Sequence, residues 1–146
     1  MKDLEIDQVI RDHLALRGIR YTGGRKAVVR ALQIASGPQS AAELHRRLRP
    51  RVPLSSLYRA LATLDEAGLV SLHHGPGKIA RYELAEWISG HHHHLVCLQC
   101  GAMGDIELDP KAESMLDGLV EVLGQRSGYS VSGHSLEVEG LCRSCR

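Results

Sequence analysis

Phenylalanine is absent from this chain, and Trp87 is its one tryptophan. A core with so few aromatic rings has to be assembled from Leu, Val, Ile and Ala, which suits small packed units and excludes a large aromatic-lined cavity. Long apolar runs are missing as well. No window approaches the run of about 20 apolar residues needed to cross a bilayer. The N-terminus, charged through Lys2, Asp3, Glu5 and Asp7, lacks the apolar stretch of a signal peptide. The expectation is a cytoplasmic protein with no membrane partner. At 146 residues and 43% hydrophobic content, the chain can bury one ordinary core or two small ones.

Net charge is nearly absent too, at +1, but the balance conceals an asymmetry. Residues 1–90 carry 14 Lys or Arg against 9 Asp or Glu, whereas residues 91–146 carry 4 against 8. Between Arg17 and Arg59, ten basic residues face Glu43 alone. Such a concentration suits a surface that meets a polyanion; the bland alternative is a set of helices merely solvated by Arg.

Proline, glycine and apolar spacing divide the chain into elements. Asp7 to Leu16 reads as a short helix, and Arg25 to about Ala35 as a second with Val28, Leu32 and Ala35 on one face. Ser40, with Glu43 three residues on, makes a capping box for a third helix with Ala41, Leu44 and Leu48 inward. Pro50 and Pro53 end it. Ser55 is expected to cap a fourth helix, whose Leu57, Leu61 and Leu64 turn inward while Ser56, Arg59 and Thr63 line another face. Leu69 to His73 and Ile79 to Leu84 then form a hairpin around Gly75-Pro76-Gly77. Helices followed by a hairpin give the winged-helix pattern. Beyond a linker at Glu86 to Gly90, short strands are expected at 93–97 and 103–108, and a helix opens at Asp109-Pro110 with Leu116, Leu119, Val120 and Leu123 inward. A last strand region spans Val131 to Leu141, where His134, Leu136 and Val138 alternate with Ser135, Glu137 and Glu139.

Four cysteines are few, yet they are grouped. Cys97/Cys100 and Cys142/Cys145 are two Cys-x-x-Cys pairs, and each such pair can supply two thiolates to a tetrahedral structural zinc. A redox pair is the competing reading, but no βαβ pattern surrounds Cys97. His91 to His94 sit just before the first pair. On an extended segment His91 and His93 point to one side and His92 and His94 to the other, giving two ligand pairs. Glu113 shares the helical face of Leu116 and Val120, where a carboxylate needs a partner or a metal.

The segments Tyr21-Thr22-Gly23-Gly24-Arg25, Ser55-Ser56-Leu57-Tyr58-Arg59-Ala60-Leu61, the run from His91 to Gly101, and Gly133-His134-Ser135 with Gly140-Leu141-Cys142 together resemble the ferric uptake regulator superfamily. The resemblance spans nearly the whole chain. It implies an α+β fold: an N-terminal winged-helix DNA-binding domain over residues 1–86, a hinge over 87–92, and a C-terminal α/β dimerisation domain with structural zinc over 93–146. It implies a homodimeric repressor that binds palindromic, AT-rich double-stranded DNA operators of metal-uptake genes when a regulatory divalent metal, Fe²⁺ or Zn²⁺, is bound. Tyr58 and Arg59 then match the base-reading pair, Arg20 the residue of the minor groove, with Arg25 and Ser56 beside them. Cys97, Cys100, Cys142 and Cys145 match the structural zinc ligands. Glu83, His92 and His94 match a regulatory site bridging the two domains, and His91, His93 and His134 match an interior site, which Glu113 completes by a one-residue shift from the family spacing at Ala112. The bridging set usually takes a further His where this chain has Pro38; Asp105, His73, His74 or water are the candidates to replace it. A zinc hydrolase or deaminase would need an open zinc position and a His-x-Glu motif, which is absent. A zinc-buffering module whose basic half is incidental is the remaining alternative. The sensed metal stays open among Fe²⁺, Zn²⁺, Mn²⁺ and Ni²⁺, because His and carboxylate sites accept them all.

Overall fold

Leucines three or four residues apart organise the first half of the chain. The computed structural model describes residues 3–146, with side chains from Glu5 onward; Met1, Lys2 and the Asp3 side chain, part of the charged N-terminus, lie outside the described residues. Helix α1 (Asp3–Ala15) begins at Asp3, earlier than the expected Asp7, and buries Ile6, Ile10 and Leu14 at a four-residue spacing. Helix α2 (Gly23–Gln33) begins at Gly23 instead of Arg25, because the Thr22 hydroxyl accepts the Arg25 N–H and caps the helix there. A short strand β1 (Gln39–Ser40), absent from the sequence reading, leads into α3 (Ala41–Leu48), which has the expected capping box. In α4 (Leu54–Glu66) the cap is Pro53 and makes no side-chain bond; Ser55 lies inside the first turn, a correction to its assignment as cap.

Strands β2 (Val70–His74) and β3 (Ala80–Leu84) pair antiparallel, and β1 adds to the far side of β3. Ile10, Leu14, Leu44, Leu57, Leu61, Leu64 and Leu69 are all fully buried between the helices and this sheet. At about 1.5–3 kcal/mol for each large aliphatic side chain, they are the main favourable term in this half. The sheet is tied to α3 by one buried cation: Arg81 donates to the Glu43 carboxylate at 2.8 Å and to the Pro38 carbonyl at 3.1 Å.

A single helical turn, α5 (Glu86–Ser89), links to a second sheet in the order β5-β4-β6. Its centre is β4 (His93–Cys97), paired antiparallel with β5 (Met103–Ile106) and parallel with β6 (Glu137–Gly140). The last strand is therefore shorter than the 131–141 region expected. Helix α6 (Pro110–Ser127) starts as predicted, with the Asp109 carboxylate accepting from the Lys111 and Ala112 N–H groups. Its inward stripe needs correction, since Leu119 is 56% and Leu123 53% exposed within one chain. Helix α6 leaves those leucines without a same-chain surface to cover them. Among the described residues, no helix is long and apolar enough to cross a membrane.

The two halves touch directly at Ser36-Gly37. The Asp105 N–H donates to the Ser36 carbonyl at 2.9 Å. A Cβ on Gly37 would lie 2.6 Å from the Met103 carbonyl and 2.7 Å from the Gly104 Cα, so only glycine permits this approach.

Glu43 also supplies a test of acid stability. Burial opposes its ionisation, but the Ser40 N–H and hydroxyl and the Arg81 guanidinium outweigh it and hold the carboxyl below its ordinary range. A depressed folded pKa gives stabilisation that is present above the unfolded value and is lost as pH falls through the folded one. Glu43→Gln should therefore be less stable than the parent chain at pH 7, and the gap should close as pH falls below about 4. Urea unfolding across that range measures it; a gap that does not change with pH would assign the effect to packing instead of charge.

Candidate functional site

Strand alternation sorts the histidine run as the sequence suggests. His91 and His93 turn toward α6, where His93 Nε2 lies 3.0 Å and His91 Nε2 3.1 Å from the Glu113 carboxylate, and His134 Nε2 reaches the same group at 3.0 Å. The shift to Glu113 thus places a carboxylate at the centre of this set. Hydrogen bonding to His93, with the nearby charges of His91 and His134, holds the Glu113 carboxyl low. The far nitrogens of two rings are also engaged: His91 Nδ1 meets Glu86, and His134 Nδ1 lies 3.3 Å from Asp117. Partners on one ring nitrogen fix the other toward a common point, as carboxylates do behind metal-bound imidazoles. His93 differs, since its Nδ1 is buried with no partner. The set is less enclosed than expected: the His91 side chain is 38% and Glu113 27% exposed, because α6 has no cover of its own.

On the opposite side, His92 Nε2 lies 3.0 Å and His94 Nε2 3.2 Å from Glu83 Oε2. Glu83 belongs to β3 of the first sheet, so this group joins the two halves. Asp105 completes it, 3.8 Å from both rings. His92 Nδ1 is held by the Gly90 carbonyl at 2.9 Å, which aims its Nε2 inward. Burial works against ionisation of Glu83, but bonds from His73, His94 and His92 prevail and hold its carboxyl well below the usual range. Asp105 goes the other way, pushed up by burial first. His73, considered for this set, instead bonds the outer Glu83 oxygen at 2.6 Å and groups with His94 and Glu137; His74 joins none of the ligand groups found among the described residues. Pro38 is buried and supplies no ligand. The bridging group opens onto a cleft of about 320 Å³ lined by Gly37, Leu84, Ile88 and Asp105.

The four cysteines converge as predicted, all their sulfurs lying within 4.8 Å of one another. Cys100 Sγ and Cys142 Sγ are 3.8 Å apart, and all four thiols are free. Tetrahedral zinc with Zn–S near 2.3 Å spaces its sulfurs about 3.8 Å apart, whereas a disulfide needs about 2.05 Å. The Cys100 and Cys142 N–H groups lower the Cys97 thiol to about 6, while its neighbour Cys142 first among others pushes Cys145 up to about 12. Four thiols this close resist ionising together unless a cation sits between them, so the donor set fits zinc.

On α4, Tyr58 is 53% exposed and Arg59 lies beside it, its guanidinium donating to the Ser56 hydroxyl at 3.2 Å. Arg20, Arg46, Arg47, Arg49 and Arg51 are exposed around the same half. Arg25 is half-buried and engaged: it donates to the Arg20 carbonyl at 2.5 Å and to the Thr63 hydroxyl at 3.2 Å, bracing α2 against α4. The anchoring role of Trp87 escaped the sequence reading. Its Nε1 donates to the Gly68 carbonyl at 2.9 Å and its ring packs on His13, anchoring α5 to the first half. Glu86, Asp117 and Glu137 were missed as well; only the alternation of Glu137 against His134 hinted that it shares a face with His94.

Known proteins are similar to this chain in sequence and in fold. The chain is 31% identical over 142 residues to the ferric uptake regulation protein of Bacillus subtilis (strain 168), covering 93% of this chain and 91% of that protein. It is 33% identical over 140 residues to the zinc uptake regulation protein of Mycobacterium tuberculosis (strain ATCC 25618 / H37Rv), covering 91% and 99%. Its fold matches the crystal structure of the Vibrio cholerae ferric uptake regulator with a TM-score of 0.72 at 29% identity, covering 90% of this chain and 98% of that one. Residues 16–139 match the model of the ferric uptake regulator family, so the chain belongs to that family of metal-responsive transcriptional regulators, which are not enzymes.

Proposed function

We propose that this protein is a metal-dependent repressor that binds palindromic, AT-rich operators of iron- or zinc-uptake genes as a homodimer when its regulatory metal is bound. The observation that carries this reading is Glu83, a carboxylate of the first sheet reaching His92, His94 and Asp105 of the second half. A divalent cation held there would fix the angle between the reading head, residues 1–86, and the remainder beyond the 87–92 hinge. Ligands drawn from both halves are what make an equilibrium between head orientations sensitive to metal. Mixed imidazole and carboxylate donors suit Fe²⁺ or Zn²⁺, in keeping with relatives named for iron and for zinc uptake.

The other ligand groups serve the dimer. His91, His93, Glu113 and His134 would hold a metal between β4 and α6, and Cys97, Cys100, Cys142 and Cys145 a structural zinc that ties the end of the chain to β4. Residues 93–146 form the dimerisation domain in this reading, supported by the exposed Met115, Leu119, Val122 and Leu123 along α6. Such a stripe is stable in water when a second copy covers it. Tyr58, Arg59 and Ser56 read bases from α4, while Arg20 contacts the backbone or minor groove and Arg25 holds α4 in place beside it.

Three outcomes are expected. Chelator-washed protein should retain one zinc per chain, and Cys142→Ser should release it and unfold or monomerise the C-terminal domain; washed protein with no zinc by elemental analysis and an unchanged fold would refute the structural site. Arg59→Ala should weaken operator binding by about 1–3 kcal/mol and random-DNA binding by less, with equal losses on both refuting a reading role. His92→Ala should abolish metal-dependent operator binding in a folded dimer, whereas His134→Ala should chiefly lower thermal stability. Normal metal response in the first and none in a stable second would reverse the two assignments.

A further inference from the structure

The carbonyls at the end of α4 have no following helical turn to bond them. Rings meet two of these groups, at the cap residue Ala67 and at Gly68 beside it. His13 Nε2 donates to the Ala67 carbonyl at 2.7 Å, and Trp87 Nε1 to the Gly68 carbonyl at 2.9 Å. The two rings lie against each other with centroids 5.2 Å apart. Helices α1 and α5 therefore clasp the end of the helix that carries Tyr58 and Arg59. Two further attachments hold α5 to the first half: the Ala85 N–H donates to the Leu69 carbonyl at 3.0 Å, and Ile88 is buried in the leucine core. The residue that follows α5 is of a different kind. Gly90 has φ 89° and ψ 165°, a backbone conformation essentially closed to residues with a Cβ. Nothing lies within 4 Å of the place a Cβ would take, so the torsion itself demands glycine, not crowding. The Gly90 carbonyl also accepts from His92 Nδ1, which ties this torsion to a ligand of the bridging group.

We propose that Trp87 is a positioning residue: it clamps α5 to the end of α4, so that α5 travels with the reading head and the head turns about Gly90. The inference rests on Glu83, His92 and His94 being the bridging metal site, and it narrows the 87–92 hinge to one residue. A clamped α5 keeps the tether short. Only the three residues 90–92 then separate α5 from β4, whereas a released α5 leaves the seven residues 86–92 to be ordered when Glu83 meets His92 and His94. The entropy of closing a flexible segment grows as 1.5 RT ln n, so release of α5 weakens metal binding at the bridge by about fourfold. Gly90 bears on the same equilibrium through its torsion. A Cβ there makes the orientation that assembles the ligands about tenfold harder to reach.

Titration of the full chain, already holding its cysteine zinc, with chelator-buffered Zn²⁺ tests this; the bridging step is the one that His92→Ala removes. Trp87→Ala should need about fourfold more free Zn²⁺ to half-fill that step, and Gly90→Ala about tenfold more, both with the circular dichroism spectrum of the parent. In the parent, acrylamide should quench the fluorescence of Trp87, the one tryptophan, equally before and after the step is filled, because α5 stays on the head in both states. A Trp87→Ala chain that loses thermal stability but keeps the parental midpoint makes Trp87 a structural anchor only and overturns the proposal. A parental midpoint in Gly90→Ala overturns it too, as does quenching that falls when the step fills. If His92→Ala removes no step, the bridging reading itself fails and the inference with it. If His92→Ala removes one and both other variants bind like the parent, the clamp and pivot fail while the bridging reading stands.

Discussion

Three imidazoles from the two halves meet on the carboxylate of Glu83, and the junction between those halves is built around that meeting. An ionised carboxylate in a half-buried place costs several kcal/mol unless it is paired. Here the pairing groups are His73 of the first sheet, His94 of the second and His92 just before it, so two of the three partners of the charge come from the other half. Protonated imidazoles and a divalent cation are alternative ways of meeting the same need. Both cannot occupy the ring nitrogens at once, so protons and metal compete for the same hold on the head.

The first half of the fold was legible because its determinants are local. The leucine spacing of α3 and α4, the capping box at Ser40 and Glu43, and the glycine-proline turn of the hairpin all act within a few residues. Strand alternation likewise separated His91 and His93 from His92 and His94, and the double cysteine pairs marked out the four thiols that the fold brings together. What stayed hidden depends on pairing between distant segments. Glu137 joins His94 only because β6 runs parallel to β4 at one particular register, and His73 reaches Glu83 only because β2 and β3 pair as they do. The inward stripe of α6 was misjudged for a related reason: periodicity marks an apolar face without saying which molecule covers it.

The two halves are also stabilised in different ways. The first has a continuous leucine core, whereas in the second the buried apolar side chains include little beyond Val96, Cys97 and Met103. A domain so poor in core depends on cross-links and on a partner surface, and the cysteine cluster and α6 supply candidates for both. Folding and ligand binding are therefore coupled more tightly in the second half than in the first.

Asp105 has a double attachment whose consequence is mechanical. Its N–H holds the carbonyl of Ser36 while its side chain faces His92 and His94, and Gly37 beside it lies against the β5 backbone too closely for any side chain. The two halves thus meet here through main-chain atoms, which carry neither a titratable group nor a metal ligand. In the proposed reading, an ion bound at His92 and His94 beside this contact would bias the angle between halves that already touch, so a modest difference in its affinity for two orientations would be enough to move α4.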